Sequence, residues 1–179
     1  MKNLSNWILK TAGWNLISTI EVPDKSVICV APHTSNWDFV IGKLSYWAMG
    51  RKAGFLMKKS WFFFPFNYIF KAMGGIPVDR SKRSSVTQEM VDEFRKRETF
   101  HLAITPEGTR SPNAEWKMGF YYIALKAGVP IQLAYLDYKK KEMGITELFL
   151  PTGNENEDIL TIKAFYRNIT PKFPERFQI

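Results

Sequence analysis

The stretch APHTSNWDF, residues 31–39, follows the apolar run SVICV and holds one of the two histidines in this 179-residue chain. An imidazole beside a carboxylate is a general-base arrangement: the carboxylate fixes the tautomer, and the other ring nitrogen takes a proton near neutral pH. His33 and Asp38 are five residues apart. On an ideal helix that spacing turns two side chains about 140° away from each other. The pair meets only if His33 lies in a loop and a helix begins between the two. Ser35 and Asp38 also have the spacing of a capping box, so Asp38 reads equally well as a helix starter with no chemical duty.

Two more loops carry groups suited to anions. GGIPVDR, residues 74–80, ends in Arg80, with Lys82 and Arg83 just beyond; a guanidinium fork matches phosphate oxygens, although a solvated basic turn has the same composition. In TPEGTRS, residues 105–111, Gly108 permits a tight turn, Thr109 offers a hydroxyl and Arg110 a second guanidinium. Glu107 either holds Arg110 or shapes the turn by accepting backbone hydrogen bonds. Pro106, Gly108 and Pro112 are equally what a plain turn contains.

Other reactive residue types read as structure. Cys29, the single cysteine, sits inside the apolar run and has no disulfide partner, which points to a core residue and a reducing compartment. His101 is the second residue of the strand-like FHLAIT and reads as structural. Two histidines and one cysteine argue against a zinc site. Lys and Arg number 25 against 17 acids, for a net charge of +8 and a pI near 9.5, which suits an anionic partner. No helix-turn-helix or RNP-type pattern supports nucleic acid in that role.

The loops need a frame to bring them together. Strand patterns at 26–31, 54–58, 76–78, 100–105 and 130–136 alternate with helical patterns at 37–50, 85–97, 117–127 and 157–167, and Ser85 with Gln88 reads as a cap for the second of these helices. The alternation predicts an α/β sheet with helices on its faces and one domain over 1–179. Residues 1–20 read as an amphipathic N-terminal helix with Leu4, Trp7, Ile8 and Trp14 on one face, suited either to a membrane boundary or to packing on its own domain. That segment has neither the apolar length to span a membrane nor the pattern of a signal peptide. Trp61, Phe62, Phe63, Phe64, Phe66, Tyr68 and Phe70 crowd one short stretch. They are too many for one helix face, so part is expected to pack inward and part to line an acyl groove or enter a membrane interface.

Taken in order, His33-x4-Asp38, GGIPVDR, PEGTRS at 106–111 and GVPI at 128–131 resemble the four-block signature of the glycerolipid acyltransferases, the family of lysophosphatidic acid (1-acylglycerol-3-phosphate) acyltransferases. The blocks span about 100 residues, and PEGTRS is the most specific of them. Pro32, Pro77 and Thr105 depart from the residues the family often has. The resemblance implies a mixed central sheet flanked by helices, His33 as general base, Asp38 as its orienting partner, and Arg80 and Arg110 as ligands of an acceptor phosphate. Glu107, Gly108 and Thr109 fall in the same phosphate-binding block, and Lys59 resembles a basic residue that assists it. The implied activity moves a fatty acyl group from acyl-CoA or acyl carrier protein to the hydroxyl of a lysophospholipid or glycerol-phosphate acceptor, with no cofactor or metal. The aromatic stretch, Trp7, Trp14 and the charge of +8 predict peripheral binding to an anionic membrane surface on the cytoplasmic side. A thioester or lipid hydrolase using the same pair, and a non-catalytic lipid-binding protein, fit the same residues; the chain has no G-x-S-x-G elbow for a serine hydrolase.

Overall fold

The computed structural model of the chain describes residues 1–79 and 83–179. Its strands are β1 (Asn15–Ser18), β2 (Lys25–Val30), β3 (Gly54–Lys58), β4 (Gly75–Val78), β5 (Phe100–Ile104), β6 (Ile131–Asp137) and β7 (Glu142–Phe149). They form one sheet in the order β1-β7-β6-β2-β5-β3-β4. From β6 to β4 every neighbouring pair is parallel. β7 runs antiparallel to β6 and carries β1 parallel to itself, so the sheet is mixed.

The strand sequences follow from this placement. A strand covered on both faces cannot alternate apolar with polar residues, and SVIC of β2 and the whole of β6 are buried at every position. The helices are α1 (Lys2–Thr11), α2 (Asn36–Ala48), α3 (Phe66–Ala72), α4 (Arg83–Lys96), α5 (Gly119–Ala127) and α6 (Glu155–Tyr166). On one face α1 and α2 pack Leu9 and Ile41 against Ile28, Ala134 and Leu136. On the other, α4, α5 and α6 pack Phe94, Phe120 and Ile162 against Val27, Cys29 and Leu133. Successive β2 residues thus serve opposite cores, as the period of two requires. α3 buries none of its residues.

The N-terminal helix is shorter than the 1–20 expected. It ends at Thr11, Gly13 takes φ +76° in the left-handed region, and residues 15–18 pair with β7 instead. Trp14, expected beside Trp7 on an exposed helix face, is buried and meets Tyr138 edge-on at 5.1 Å, whereas Trp7 is 64% exposed. β1 and β7 have no counterpart among the expected strands, because β7 mixes Glu142, Gly144, Thr146 and Glu147 with its apolar residues and only its first half is buried. α4 already includes Arg83, so Ser85 lies inside the helix and not at its cap. Among the described residues no helix is long and apolar enough to cross a membrane.

Parallel strands deliver their C-terminal ends to one edge of the sheet. The segments after β2, β5 and β6 therefore emerge side by side. They do so where the connections diverge: β2 leads through α2 to β3 on one side, and β5 leads through α5 to β6 on the other. Such a divergence leaves a crevice that neighbouring loops line.

Candidate active site

α2 starts at Asn36, which leaves His33 in the loop and Asp38 in the first helical turn. Nδ1 of His33 lies 3.4 Å from Oδ2 of Asp38. The same Oδ2 accepts the backbone amides of Thr34 and Ser35, each at 2.8 Å. Oδ1 accepts the Tyr138 hydroxyl at 2.5 Å. The Ser35 hydroxyl accepts the Trp37 amide at 3.1 Å, and with Asp38 on the Ser35 amide the capping box is complete. Asp38 is thus a helix cap and a histidine partner at once, because a carboxylate at a helix start has two oxygens to share. Burial alone would raise its pKa, but the His33 contact, the Tyr138 hydroxyl and the Ser35 amide outweigh this and hold it below the ordinary carboxylate value. With Nδ1 turned to the carboxylate, Nε2 is the ring nitrogen left for a substrate proton.

A second carboxylate fixes the loop from below. Both oxygens of Glu107 face the His33 backbone amide, at 3.0 and 3.1 Å. The side chain is 2% exposed, and burial pushes its pKa up to about 7 against the amide's opposing pull. Glu107 does accept a backbone hydrogen bond, as one of its two foreseen duties has it, but from the first loop and not within its own turn, and its contact is not to Arg110. Gly108 follows in the left-handed region at φ +65°. A Cβ there would come within 2.6 Å of the Lys117 Nζ, so glycine also leaves room for that side chain.

These groups border a cleft of about 1400 Å³ whose wall includes His33, Asp38, Gly108 and Arg110. Its cations among the described residues are Lys43, Arg110, Lys117 and Lys126. Lys43 donates to the Ala53 carbonyl at 3.0 Å and sits over the Trp47 and Phe55 rings; burial lowers its pKa to about 8. The wall also has an apolar part, with Ile28, Val30, Phe55, Leu56 and Met57.

Not every expected ligand borders this space. Lys59 is exposed in a 3-10 turn after β3 and is not in the wall, although Met57 and Trp61 are. The Thr109 hydroxyl accepts the Ser111 amide at 3.2 Å, within its own turn. Arg80 lies outside the described residues. Lys43, Lys117 and Tyr138 went unnoticed in the sequence: none belongs to a motif, and Tyr138 reaches Asp38 across a separation of 100 residues. Only the strand order announces such a contact. Cys29 is fully buried, its thiol pushed up to about 12 by desolvation, which makes it inert. His101 bonds to Ser26 at 2.8 Å within the sheet. No group of His, Cys, Asp and Glu among the described residues has the makings of a metal site.

An imidazole–carboxylate pair at the crevice of a mixed α/β sheet, in the wall of a cleft that holds both cations and apolar side chains, is an arrangement that can move a proton. The model of the acyltransferase family matches residues 15–135, more than half of the sequence, and the chain belongs to that family of transferases. A similar solved structure is the 1-acyl-sn-glycerophosphate (LPA) acyltransferase PlsC of Thermotoga maritima, with TM-score 0.61 and 16% identity over 95% of this chain and 80% of that one. At that identity the likeness is one of fold. No curated protein matches by sequence.

Proposed function

We propose that this acyltransferase moves a fatty acyl group from a thioester, acyl-CoA or acyl carrier protein, to the hydroxyl of a lysophospholipid or glycerol-phosphate acceptor. The observation that carries the reading is the cleft itself: the His33–Asp38 pair lies in a wall that also carries Lys43, Arg110, Lys117, Lys126 and many apolar side chains, which suits a substrate with both a phosphate and an alkyl chain. Nε2 of His33 takes the acceptor's hydroxyl proton as that oxygen attacks the thioester carbonyl. The new C–O bond forms, the C–S bond breaks, and the departing thiolate receives the proton back from the imidazolium. Asp38 steadies that cation and holds the tautomer. Base assistance of this kind contributes ~10²- to 10⁴-fold, and alignment of the two substrates supplies much of the remainder. Arg110 receives the acceptor phosphate, Lys117, whose side chain lies over Gly108, is a second cation of the same wall, and Arg80 is a further ligand by its motif. Glu107 and Gly108 serve the phosphate loop indirectly, through the clasp on His33 and the room left for Lys117. Lys59 and Thr109, like Arg80, are further ligands by their motif alone. The encounter takes place at the cytoplasmic face of an anionic membrane, to which the protein binds peripherally.

The test is thiol release from acyl-CoA and acyl carrier protein across phosphorylated and phosphate-free lysolipids, for the wild type and for His33→Ala and Arg110→Ala. His33→Ala is expected to lose ~10²- to 10⁴-fold with every acceptor. Arg110→Ala is expected to lose about 10- to 100-fold in kcat/KM with phosphorylated acceptors alone, with the thioester KM unchanged. Thiol release without any acceptor would favour hydrolysis. Full activity of His33→Ala would remove the mechanism.

A further inference from the structure

The stretch from Trp61 to Phe70 is aromatic yet contributes to neither buried cluster of the described residues. Trp61, Phe63, Phe64, Phe66, Tyr68 and Ile69 are 44–78% exposed. Their rings lie chiefly on one another: Phe63 meets Phe66 edge-on at 5.2 Å, Phe64 meets Tyr68 at 6.4 Å, and Phe66 stacks on Phe70 at 6.2 Å. A contiguous apolar surface of this kind marks a place where something other than water belongs.

Charge identifies the occupant. From Phe39 to Val78 the sequence holds Lys43, Arg51, Lys52, Lys58, Lys59 and Lys71 and no aspartate or glutamate. Lys58 and Lys59 precede the aromatic stretch, Lys71 follows it, and all three are exposed. Rings fringed by ammonium groups match the boundary of an anionic bilayer, where the rings enter between headgroups and the lysines stay at the phosphates. A second copy of the chain suits the patch less well, since it would set like-charged rims against each other. Two residues of the segment, Trp61 and Phe70, border the same cleft as His33.

We propose that residues 59–72 form a hook that inserts into an anionic lipid surface and sets the mouth of the cleft against it, so that a lipid acceptor passes from bilayer to site without crossing water. The passage of acceptor rests on the reading above; insertion of the hook does not. The experiment is co-sedimentation of the full chain with phosphatidylglycerol or phosphatidylcholine vesicles. Wild type is expected to pellet with phosphatidylglycerol at low salt, less at high salt, and weakly with phosphatidylcholine. The triple substitution Phe63→Ser, Phe64→Ser, Tyr68→Ser, which leaves the cleft wall intact, is expected to cut the bound fraction about tenfold or more at unchanged Tm. Phe64→Asp alone, at the most exposed of these rings, provides the same comparison with less perturbation. Wild-type failure to bind phosphatidylglycerol, full binding by both variants, or a concentration-dependent dimer that the triple substitution dissolves would each overturn the proposal. Because binding is read without turnover, its failure remains distinct from failure of the acyl-transfer reading.

Discussion

Around His33 the polar side chains are inside; around Phe64 the apolar ones are outside. Asp38 and Glu107 are each 2% exposed, while Phe64 is 78% exposed, an inversion of the usual distribution. The partners differ in range as well. Those of the first loop come from 74 and 100 residues away, whereas each ring pair between residues 61 and 70 joins residues no more than nine apart. Buried carboxylates are tolerated only where donors converge on them, which makes their positions rigid. Exposed rings without long-range partners are held by little and are free to meet another phase. The contrast separates a part of the molecule whose side chains are fixed by partners from distant strands from a part whose rings are held only by their neighbours in sequence.

The sharpest way to break this contrast is Asp38→Asn. The amide keeps one acceptor for the loop but cannot offset an imidazolium, so turnover is expected to fall ~10²- to 10⁴-fold, with a measurable drop in Tm from the disturbed cap. An active, equally stable variant would mean that the loop is not rigid for a chemical reason. Glu107→Gln should act on stability through pH. The folded-state pKa of Glu107, about 7, lies above its ordinary 4.5. Its contribution is therefore fully present below about 4.5 and is lost as pH rises through about 7. Tm plotted against pH should fall across that window for wild type relative to Glu107→Gln, and parallel curves would sink the assignment. The smallest effect belongs to the other region: Ile69→Ser should change stability by no more than about 0.5 kcal/mol in urea unfolding. A loss of several kcal/mol there would show that the aromatic stretch is part of the core.

Local patterns were readable in the sequence to the extent that local physics decides them. Residues 54–58 read as a strand and are β3, and the five-residue spacing of His33 and Asp38 already required a helix starting between them. The first helix was overextended because Trp14 continues the apolar face that Leu4 and Trp7 begin; only the turn at Gly13 reassigns it to the core. The clasp by Glu107, the Tyr138 hydroxyl on Asp38 and the Lys117 side chain over Gly108 have no spacing rule, since each depends on which strands are neighbours. That aromatics at 61–70 exceed what one helix face can bury was visible as a count; which of them face outward depended on α3 finding no groove in the sheet.

The distance along the chain between the groups that steady the dyad also sets when it comes into being. β2 gains Glu107 only after pairing with β5, and gains Tyr138 only after pairing with β6. Such non-local parallel pairings form late, since a long loop must close before any contact rewards it. A half-folded chain can therefore possess α2, its cap and even the imidazole–carboxylate neighbours, and still lack the two braces that hold them. If the dyad works as proposed, activity returns on refolding only once β2 has paired with both β5 and β6.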